Sequence, residues 1–242
     1  MKAGGEGVMK PEKASLKRAY VNVRAGRQVL FGGSQMRGVK KTFQASACGL
    51  ISAVDFLLYL GRQHPEWRGP KWPSGWDGEG PIDEDEYFRF VKHLQHWYLP
   101  VIPYIGMTGF RLAIGLNWYF RRNRIPLRCR WGVFARNFYA RMADMLKKDL
   151  PVILAVGPNF PPRFHKVNCA FYVQRSDGTY RKSTQTNAHF INAVSLDDEW
   201  IGISSWGQPY FIRREEYETY RRKASNALFC SLLYVRERKV RQ

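Results

Sequence analysis

Carboxylates are scarce in this chain of 242 residues. It has 20 Asp and Glu against 39 Lys and Arg, so its formal net charge is +19. A field of this sign attracts nucleic acid, anionic membranes or acidic proteins. The basic residues are scattered, with denser groups at 121–124, 213–214 and 221–223, and none of them lies in a recognisable nucleic-acid-binding motif. The charge therefore predicts nonspecific attraction of anions and no specific nucleic-acid partner.

Cysteine is scarce too. The four cysteines are Cys48, Cys129, Cys169 and Cys230, and no two of them form a CxxC pair. This usage argues against a disulfide framework and against a zinc site, and it predicts reduced thiols. His93 and His96 have a spacing that can hold a metal on one helix face, but no acid or cysteine partner is evident nearby. We therefore expect neither a metal nor a cofactor.

Long apolar runs are missing as well. No run approaches the roughly 20 residues that a membrane helix needs, and residues 1–7 lack the apolar core of a secretory signal. The sequence therefore predicts no membrane span and a cytoplasmic location. Hydrophobic residues at 45% and aromatic residues at 15% favour a folded globule. We expect a flexible basic arm at 1–18 and a single domain at 19–242.

One stretch, residues 44–61, combines chemistry with a strong structural signal. Small and polar residues lead to Cys48, and an apolar stripe with helical spacing follows until Gly61, a plausible helix stop. Cys48 is therefore predicted at the first turn of a buried helix. Unpaired N–H groups and the helix dipole favour the thiolate at that position. The alternative interpretation is a small cysteine buried in the core.

A second signal lies near the other end of the chain. A predicted strand begins at His189, the chain turns at Asp197-Asp198, and a second strand ends in Ser204-Ser205-Trp206-Gly207. A histidine is the usual general base for a cysteine nucleophile. Asn187, two residues before His189, is a further candidate to support its ring.

With these two stretches the chain resembles the papain-like cysteine peptidase superfamily, and it is most similar to the bacterial double-glycine (bacteriocin-leader) peptidases. The resemblance covers about residues 30–215 and is specific at its two ends. It implies that Cys48 is the nucleophile, that His189 is the base, and that Trp206 shields the pair from water. Papain relatives have Asn-Ser-Trp-Gly where this chain has residues 204–207, so Ser204 takes the place of the residue that orients the histidine. The separation of 141 residues between Cys48 and His189 also fits that fold.

The same resemblance implies a glutamine that donates an N–H group to the oxyanion, beside the backbone N–H of the cysteine. Gln35 and Gln44 are the two candidates, lying thirteen and four residues before Cys48. The family spacing is nearer five or six, so neither glutamine fits directly. We favour Gln35, because its glycine-flanked loop can fold back over the helix start.

The order of the predicted elements indicates an α+β protein. Amphipathic helices are predicted near 83–98, 109–119 and 133–148. Strands follow at 149–156, 167–174, 178–183, in the two stretches after His189 and at 228–236. The resemblance implies a papain-like arrangement, in which a helical N-terminal half, with the cysteine at a helix start, packs on a C-terminal antiparallel sheet.

The predicted function is a thiol hydrolase that cleaves a peptide or amide bond in a peptide or protein substrate through Cys48 and His189. Serine at position 204 leaves open a weakened relative that binds peptides in the same cleft. The net charge leaves open a basic protein that binds nucleic acid or anionic surfaces. Acyl-transfer relatives of the transglutaminase or amidase kind, which use the same pair of residues, also remain possible.

Overall fold

The structure combines α-helices with antiparallel sheets, so the α+β prediction is confirmed. The predicted order of helices first and strands afterwards holds only in part, because three short strands precede the first helix. The computed structural model describes residues 13–69, 71–132, 137–161 and 167–238. Within these ranges six α-helices occur: α1 (Lys41–Ser46), α2 (Cys48–Gln63), α3 (Glu84–Trp97), α4 (Gly109–Arg122), α5 (Phe138–Lys147) and α6 (Arg214–Thr219). The predicted start of α5, at residues 133–136, lies outside the described residues.

Helix α2 forms the centre of the core. Every residue from Gly49 to Gly61 is buried, which is unusual for a helix of this length and explains its nearly continuous apolar sequence. The predicted stop at Gly61 is wrong, because the helix continues to Gln63. Gly61 instead leaves room for the indole ring of Trp72, which occupies the space where a β-carbon would lie. Among the described residues, no helix is both long and apolar enough to cross a bilayer.

Helices α3 and α4 begin with side-chain caps. The Asp83 carboxylate accepts a hydrogen bond from the Asp85 N–H group, and three acidic residues occupy the first turn of α3. The Thr108 hydroxyl accepts a hydrogen bond from the Arg111 N–H group at 3.3 Å and caps α4 in the same way. Helix α4 then runs to Arg122, three residues beyond the predicted end.

Twelve strands are present among the described residues: β1 (Ala14–Ser15), β2 (Asn22–Ala25), β3 (Gln28–Phe31), β4 (Ile82–Asp83), β5 (Leu127–Trp131), β6 (Val152–Val156), β7 (Cys169–Gln174), β8 (Tyr180–Thr186), β9 (His189–Leu196), β10 (Trp200–Ser205), β11 (Gln208–Arg213) and β12 (Leu233–Glu237). Seven form an antiparallel sheet in the order β1-β9-β10-β11-β7-β8, with β6 also paired to β9. Strands β5 and β12 form a small sheet, and β3-β2-β4 form another. Strand β9 lies against helix α2, and this contact brings the two halves of the chain together.

The predicted N-terminal arm is wrong for its last residues. Strand β1 pairs with β9, with Ala14 opposite Leu196. The Lys17 N–H then donates to the Asp149 carboxylate at 2.7 Å. These bonds tie residues 14–17 to the C-terminal end of β9 and to the segment before β6. Residues 1–12, the rest of the predicted arm, lie outside the described residues.

Candidate functional site

Cys48 is the first residue of α2, as predicted. The short helix α1 ends at Ser46, and Ala47 separates it from α2. The cysteine is only partly exposed, while Ala47 before it and Gly49 after it are buried. The N–H groups of Cys48 and Gly49 belong to the first turn, where no intrahelical carbonyl pairs with them. They lie close enough to the thiol to favour its charged form.

His189 is the first residue of β9, also as predicted, and it lies opposite Val156 of β6. Packing of α2 on β9 brings its side chain to the start of α2. Cys48 and His189 line the same cavity, which has a volume of about 10 Å³. No hydrogen bond joins the thiol to the imidazole in the part of the chain that the structure describes. A cavity of this size holds about one water molecule, so a substrate carbonyl must displace whatever occupies it.

Ser205, and not Ser204, contacts the histidine. The distance between His189 Nε2 and Ser205 Oγ is 2.8 Å. The Ser204 hydroxyl donates instead to the carbonyl oxygen of Phe31, also at 2.8 Å. The prediction that Ser204 orients the ring is therefore wrong by one residue, because successive side chains of a strand point to opposite faces. Asn187 is exposed and makes no hydrogen bond to the ring.

Trp206 covers the imidazole, as the resemblance implies. The two ring centroids are 4.3 Å apart and the ring planes differ by only 16°. Trp206 and Gly207 form the tight turn between β10 and β11, and both have positive φ angles, of 50° and 76°. This backbone is unusual for tryptophan and resembles the two-residue turns that close hairpins. The indole of Trp206 also packs against the ring of Phe171, with 5.6 Å between the ring centroids.

Burial moves both pKa values toward the neutral forms of the pair. It raises the pKa of the Cys48 thiol above its ordinary value, although the N–H groups of Phe190, Gly49 and Cys48 itself oppose the shift. Burial lowers the pKa of His189 to about 3. The direction of the Cys48 pKa is thus opposite to the one predicted from the helix start, because the loss of water outweighs the nearby N–H groups.

The two candidate glutamines occupy different places. Gln35 is buried and lines the cavity beside Cys48. Its Nε2 atom donates to the carbonyl oxygen of Gln44 at 2.7 Å. The Gln44 side chain bonds to the carbonyl oxygens of Gly38 and Met36, and it does not line the cavity. Of the two, Gln35 is the glutamine that can reach a group bound at Cys48.

Asp55 forms a buried polar centre about two turns along α2 from Cys48. Its carboxylate accepts hydrogen bonds from the Tyr87 hydroxyl at 2.7 Å and from the Gly33 N–H at 3.0 and 3.1 Å. The Tyr20 hydroxyl lies 3.5 Å away. Burial raises the pKa of Asp55 from 3.8 to about 7, although these donors act against it. Through Gly33, Asp55 holds the loop that carries Gln35.

Asn192 borders the same cavity from β9. Its Nδ2 atom donates to the Ser52 carbonyl of α2 at 3.0 Å, which locks strand to helix. Its Oδ1 atom is buried and is the one buried side-chain atom without a hydrogen-bond partner among the described residues. Such orphaned atoms carry a desolvation cost of about 1–3 kcal/mol, and they concentrate where a water or ligand can bind.

A larger groove lies beside the helix that leads to Cys48. It has a volume of about 690 Å³ and runs between α1 and α3, bordered by Thr42, Ser46, Phe88 and Lys92 among others. Ser46 is only two residues from Cys48. The volume falls within the range of clefts that bind small organic molecules or short peptides.

Sequence reasoning missed Asp55, Asn192 and Ser205. A signal existed for Asp55, because a carboxylate inside a long apolar stretch is seldom buried without a partner. No group of three potential metal ligands occurs among the described residues. The pair His93 and His96 therefore has no third ligand among them. Comparisons with protein-family models, with curated proteins and with solved structures found nothing that matches this chain.

Proposed function

We propose that this chain is a thiol hydrolase with a papain-like arrangement, which cleaves a peptide or amide bond through Cys48 and His189. One observation carries the proposal: a cysteine at a helix start and a histidine at a strand start border one cavity. Ser205 engages one ring nitrogen and Trp206 covers the ring. Nucleophile, base and orienting group are the three parts that covalent acyl transfer needs.

The two ring nitrogens of His189 have separate roles in this proposal. With Nε2 engaged by Ser205, Nδ1 is the atom that takes the thiol proton. Because burial favours the neutral thiol and the neutral imidazole, the proton moves as the sulfur attacks the carbonyl carbon, and not before. The imidazolium then exists only during the reaction, where the developing negative charge on the substrate stabilises it.

The reaction then follows two steps. The tetrahedral intermediate collapses, the C–N bond breaks, and the Nδ1 proton goes to the leaving amine. The acyl group stays on Cys48 as a thioester. His189 next takes a proton from water, the resulting hydroxide attacks the thioester carbon, and the C–S bond breaks. The proton returns to the sulfur and the carboxylic acid leaves.

Gln35 and the Cys48 N–H are the proposed donors to the oxyanion. One hydrogen of the Gln35 amide is engaged by the Gln44 carbonyl. A primary amide carries two N–H hydrogens, so the second remains for the substrate. Removing one such donor from a preorganised site costs about a hundredfold or more in kcat.

The groove between α1 and α3 supports a peptide as the substrate class. Ser46, two residues before Cys48, lines it, and its volume of about 690 Å³ is within the range of peptide-sized clefts. Its border carries both signs of charge, including Arg37, Lys40, Glu84 and Lys92. Such a border suits a polar peptide better than a uniformly apolar molecule.

The test is hydrolysis of a broad peptide library, with both product ends identified by mass spectrometry. We expect Cys48→Ala and His189→Gln each to lower kcat/KM by about a thousandfold or more. Cys129→Ala, which removes a buried thiol of β5, is the matched control and should keep turnover. Activity that survives Cys48→Ala would show that the chemistry lies elsewhere.

A peptide-binding protein with a weakened site is the second candidate function. It is favoured by the neutral thiol and imidazole and by the lack of a hydrogen bond between them among the described residues. The Ser205 hydroxyl that contacts His189 is also a weaker partner for an imidazolium than an amide or carboxylate oxygen. Saturable binding of library peptides without turnover, lost when Phe88 in the groove is changed to Glu, would favour this candidate.

A further inference from the structure

The middle of the chain has an ordinary share of basic residues but no acidic ones. Residues 87–143 include ten Lys and Arg and no Asp or Glu, although the whole chain has 20 acidic residues. The stretch comprises most of α3, all of α4 and β5, and the first part of α5. Strand β12, which pairs with β5, places Glu237 beside this stretch. Glu237 offsets part of the charge, and the surface around α4 keeps a net positive field.

The same region carries most of the exposed apolar surface. Thirteen large hydrophobic side chains are exposed among the described residues, and seven of them lie between residues 97 and 118: Trp97, Ile102, Tyr104, Ile105, Phe110, Ile114 and Trp118. Single exposed apolar residues are ordinary. Exposed apolar residues that lie side by side mark binding surfaces, so the arrangement of this group on α4 is what matters.

Helix α4 is apolar on both of its faces. Its inner face packs in the core with Leu112, Leu116 and Phe120 fully buried. Its outer face carries Phe110, Ile114 and Trp118, spaced four residues apart and 49%, 68% and 54% exposed. Side chains four residues apart form one stripe along a helix. Exposed arginines accompany the stripe, at positions 111, 121 and 122.

A depression lies next to the stripe. It has a volume of about 550 Å³ and is lined by Ile114, Asn117, Trp118, Arg121, Arg128 and Arg238. Three guanidinium groups thus face one space that no carboxylate lines, and none of the three takes part in an ion pair between described residues. Guanidinium groups bind phosphate oxygens in a bidentate manner.

We propose that this α4 face, meaning Phe110, Ile114 and Trp118 with the arginine depression, docks the protein on an anionic phospholipid surface. The stripe enters the boundary between headgroups and acyl chains, and the depression receives a lipid phosphate. Interfacial helices combine Trp, Phe and aliphatic residues with arginines in this way. The inference is independent of the thiol chemistry at Cys48.

The aliphatic members of the surface favour a bilayer over nucleic acid. Single-stranded nucleic acid offers bases that stack on aromatic rings and phosphates that bind arginine. It offers no hydrocarbon to Ile114, the most exposed residue of the stripe. An acyl-chain boundary satisfies the aromatic, aliphatic and basic groups together.

Flotation of the full chain with lipid vesicles tests this proposal. One vesicle is phosphatidylcholine alone, and the other contains phosphatidylglycerol as well. We expect binding to the anionic vesicle only. Changing Ile114 and Trp118 to Gln together should weaken it roughly tenfold or more. Changing Arg121 and Arg128 to Gln should weaken it about fivefold for each arginine.

Matched variants elsewhere on the surface provide the controls. Val29→Gln with Val39→Gln removes two exposed apolar side chains away from α4, and Arg24→Gln with Arg181→Gln removes the same charge from other strands. Both pairs should bind the anionic vesicle within about twofold of the unchanged protein. Circular dichroism of each variant excludes unfolding as the cause of lost binding.

Three results would overturn the proposal. The first is no flotation with anionic vesicles. The second is flotation that both arginine pairs weaken equally and that the Ile114 and Trp118 changes leave intact, since this would be attraction by net charge alone. The third is a single-stranded oligonucleotide or an acidic protein that binds through Ile114 and Trp118 while vesicles do not.

Discussion

His189 Nε2 lies 2.8 Å from Ser205 Oγ, while the preceding residue, Ser204, bonds to the Phe31 carbonyl on another element. Two adjacent serines of one strand therefore serve different purposes. One contacts the proposed base, and the other joins β10 to the end of β3. The two serines point in different directions because side chains alternate along a strand. Changing Ser205 should therefore affect catalysis, and changing Ser204 should affect stability.

Ser205→Ala should lower kcat about tenfold with KM little changed, because the imidazole loses one hydrogen bond that helps to hold it in place. Ser204→Ala, its matched control, should leave kcat within about twofold and lower the free energy of unfolding by about 1 kcal/mol. Steady-state kinetics on a cleaved library peptide and urea unfolding measure the two effects. Equal losses of kcat in both variants would contradict the assignment of Ser205.

Alkylation of Cys48 by iodoacetamide should be slower at neutral pH than alkylation of glutathione. Burial raises the pKa of this thiol, and the thiolate is the reactive form. Cys48 should nevertheless react before the other three cysteines, because they are buried and it is partly exposed. Mass spectrometry of digested protein, sampled over time at several pH values, gives the four rates. If Cys48 is alkylated faster than glutathione at pH 7, the thiol is ionised, and the Cys48 thiolate and the His189 imidazolium form an ion pair in solution.

Trp206→Ala should raise the pKa of His189 from about 3 toward the ordinary 6.5, by about one unit or more. The indole stacks on the imidazole, so its removal admits water and makes the charged ring less costly. Titration of the histidine ring protons by NMR follows the change. Trp67→Ala is the matched control, since Trp67 stacks on the more exposed His64, and it should leave His189 unchanged. An unchanged pKa of His189 in the Trp206→Ala variant would show that other neighbours keep water away from the ring.

Asp55 should make the protein less stable as the pH rises from about 4 to 7. The folded state keeps the Asp55 proton up to about pH 7, whereas an ordinary carboxyl loses it near 3.8. Folded protein therefore binds the extra proton in this window, and the free energy of unfolding falls as the pH rises. The full effect is on the order of 4 kcal/mol. Asp55→Asn should remove this contribution to the slope.

His189 should act in the opposite direction over an overlapping window, so the two effects partly cancel in the unchanged protein. Its ring takes up a proton below about pH 6.5 when unfolded and only near pH 3 when folded, so stability falls as the pH is lowered through that range. His189→Asn should remove this loss. Urea unfolding of the unchanged protein and both variants at pH 4, 5.5 and 7 separates the two contributions. The same slope in all three proteins would contradict both pKa shifts.

Much of the site could be read from local sequence patterns. An apolar stretch directly after a small-residue segment placed Cys48 at a helix start, and alternating apolar residues after His189 placed it at a strand start. These inferences depend only on the 3.6-residue and two-residue periods of helix and strand. The capping threonine of α4 is local as well, because its hydrogen bond spans three residues.

The remaining features depend on which elements pack together. The pairing of β10 with β9 and β11 decides which of Ser204 and Ser205 points toward His189. A sequence motif aligned one residue away therefore assigns the contact to the wrong serine. Asp55 acquires its partners from segments 22 to 35 residues away.

The pKa of Cys48 is likewise decided by packing and not by the local sequence. A helix start by itself favours a thiolate, and burial in the folded protein reverses the direction. The sequence by itself thus determined where Cys48 and His189 lie within their elements, because local periodicity decides that. Tertiary packing decided which serine meets the histidine, what Asp55 binds and how the thiol ionises, because burial and long-range contacts have no local pattern.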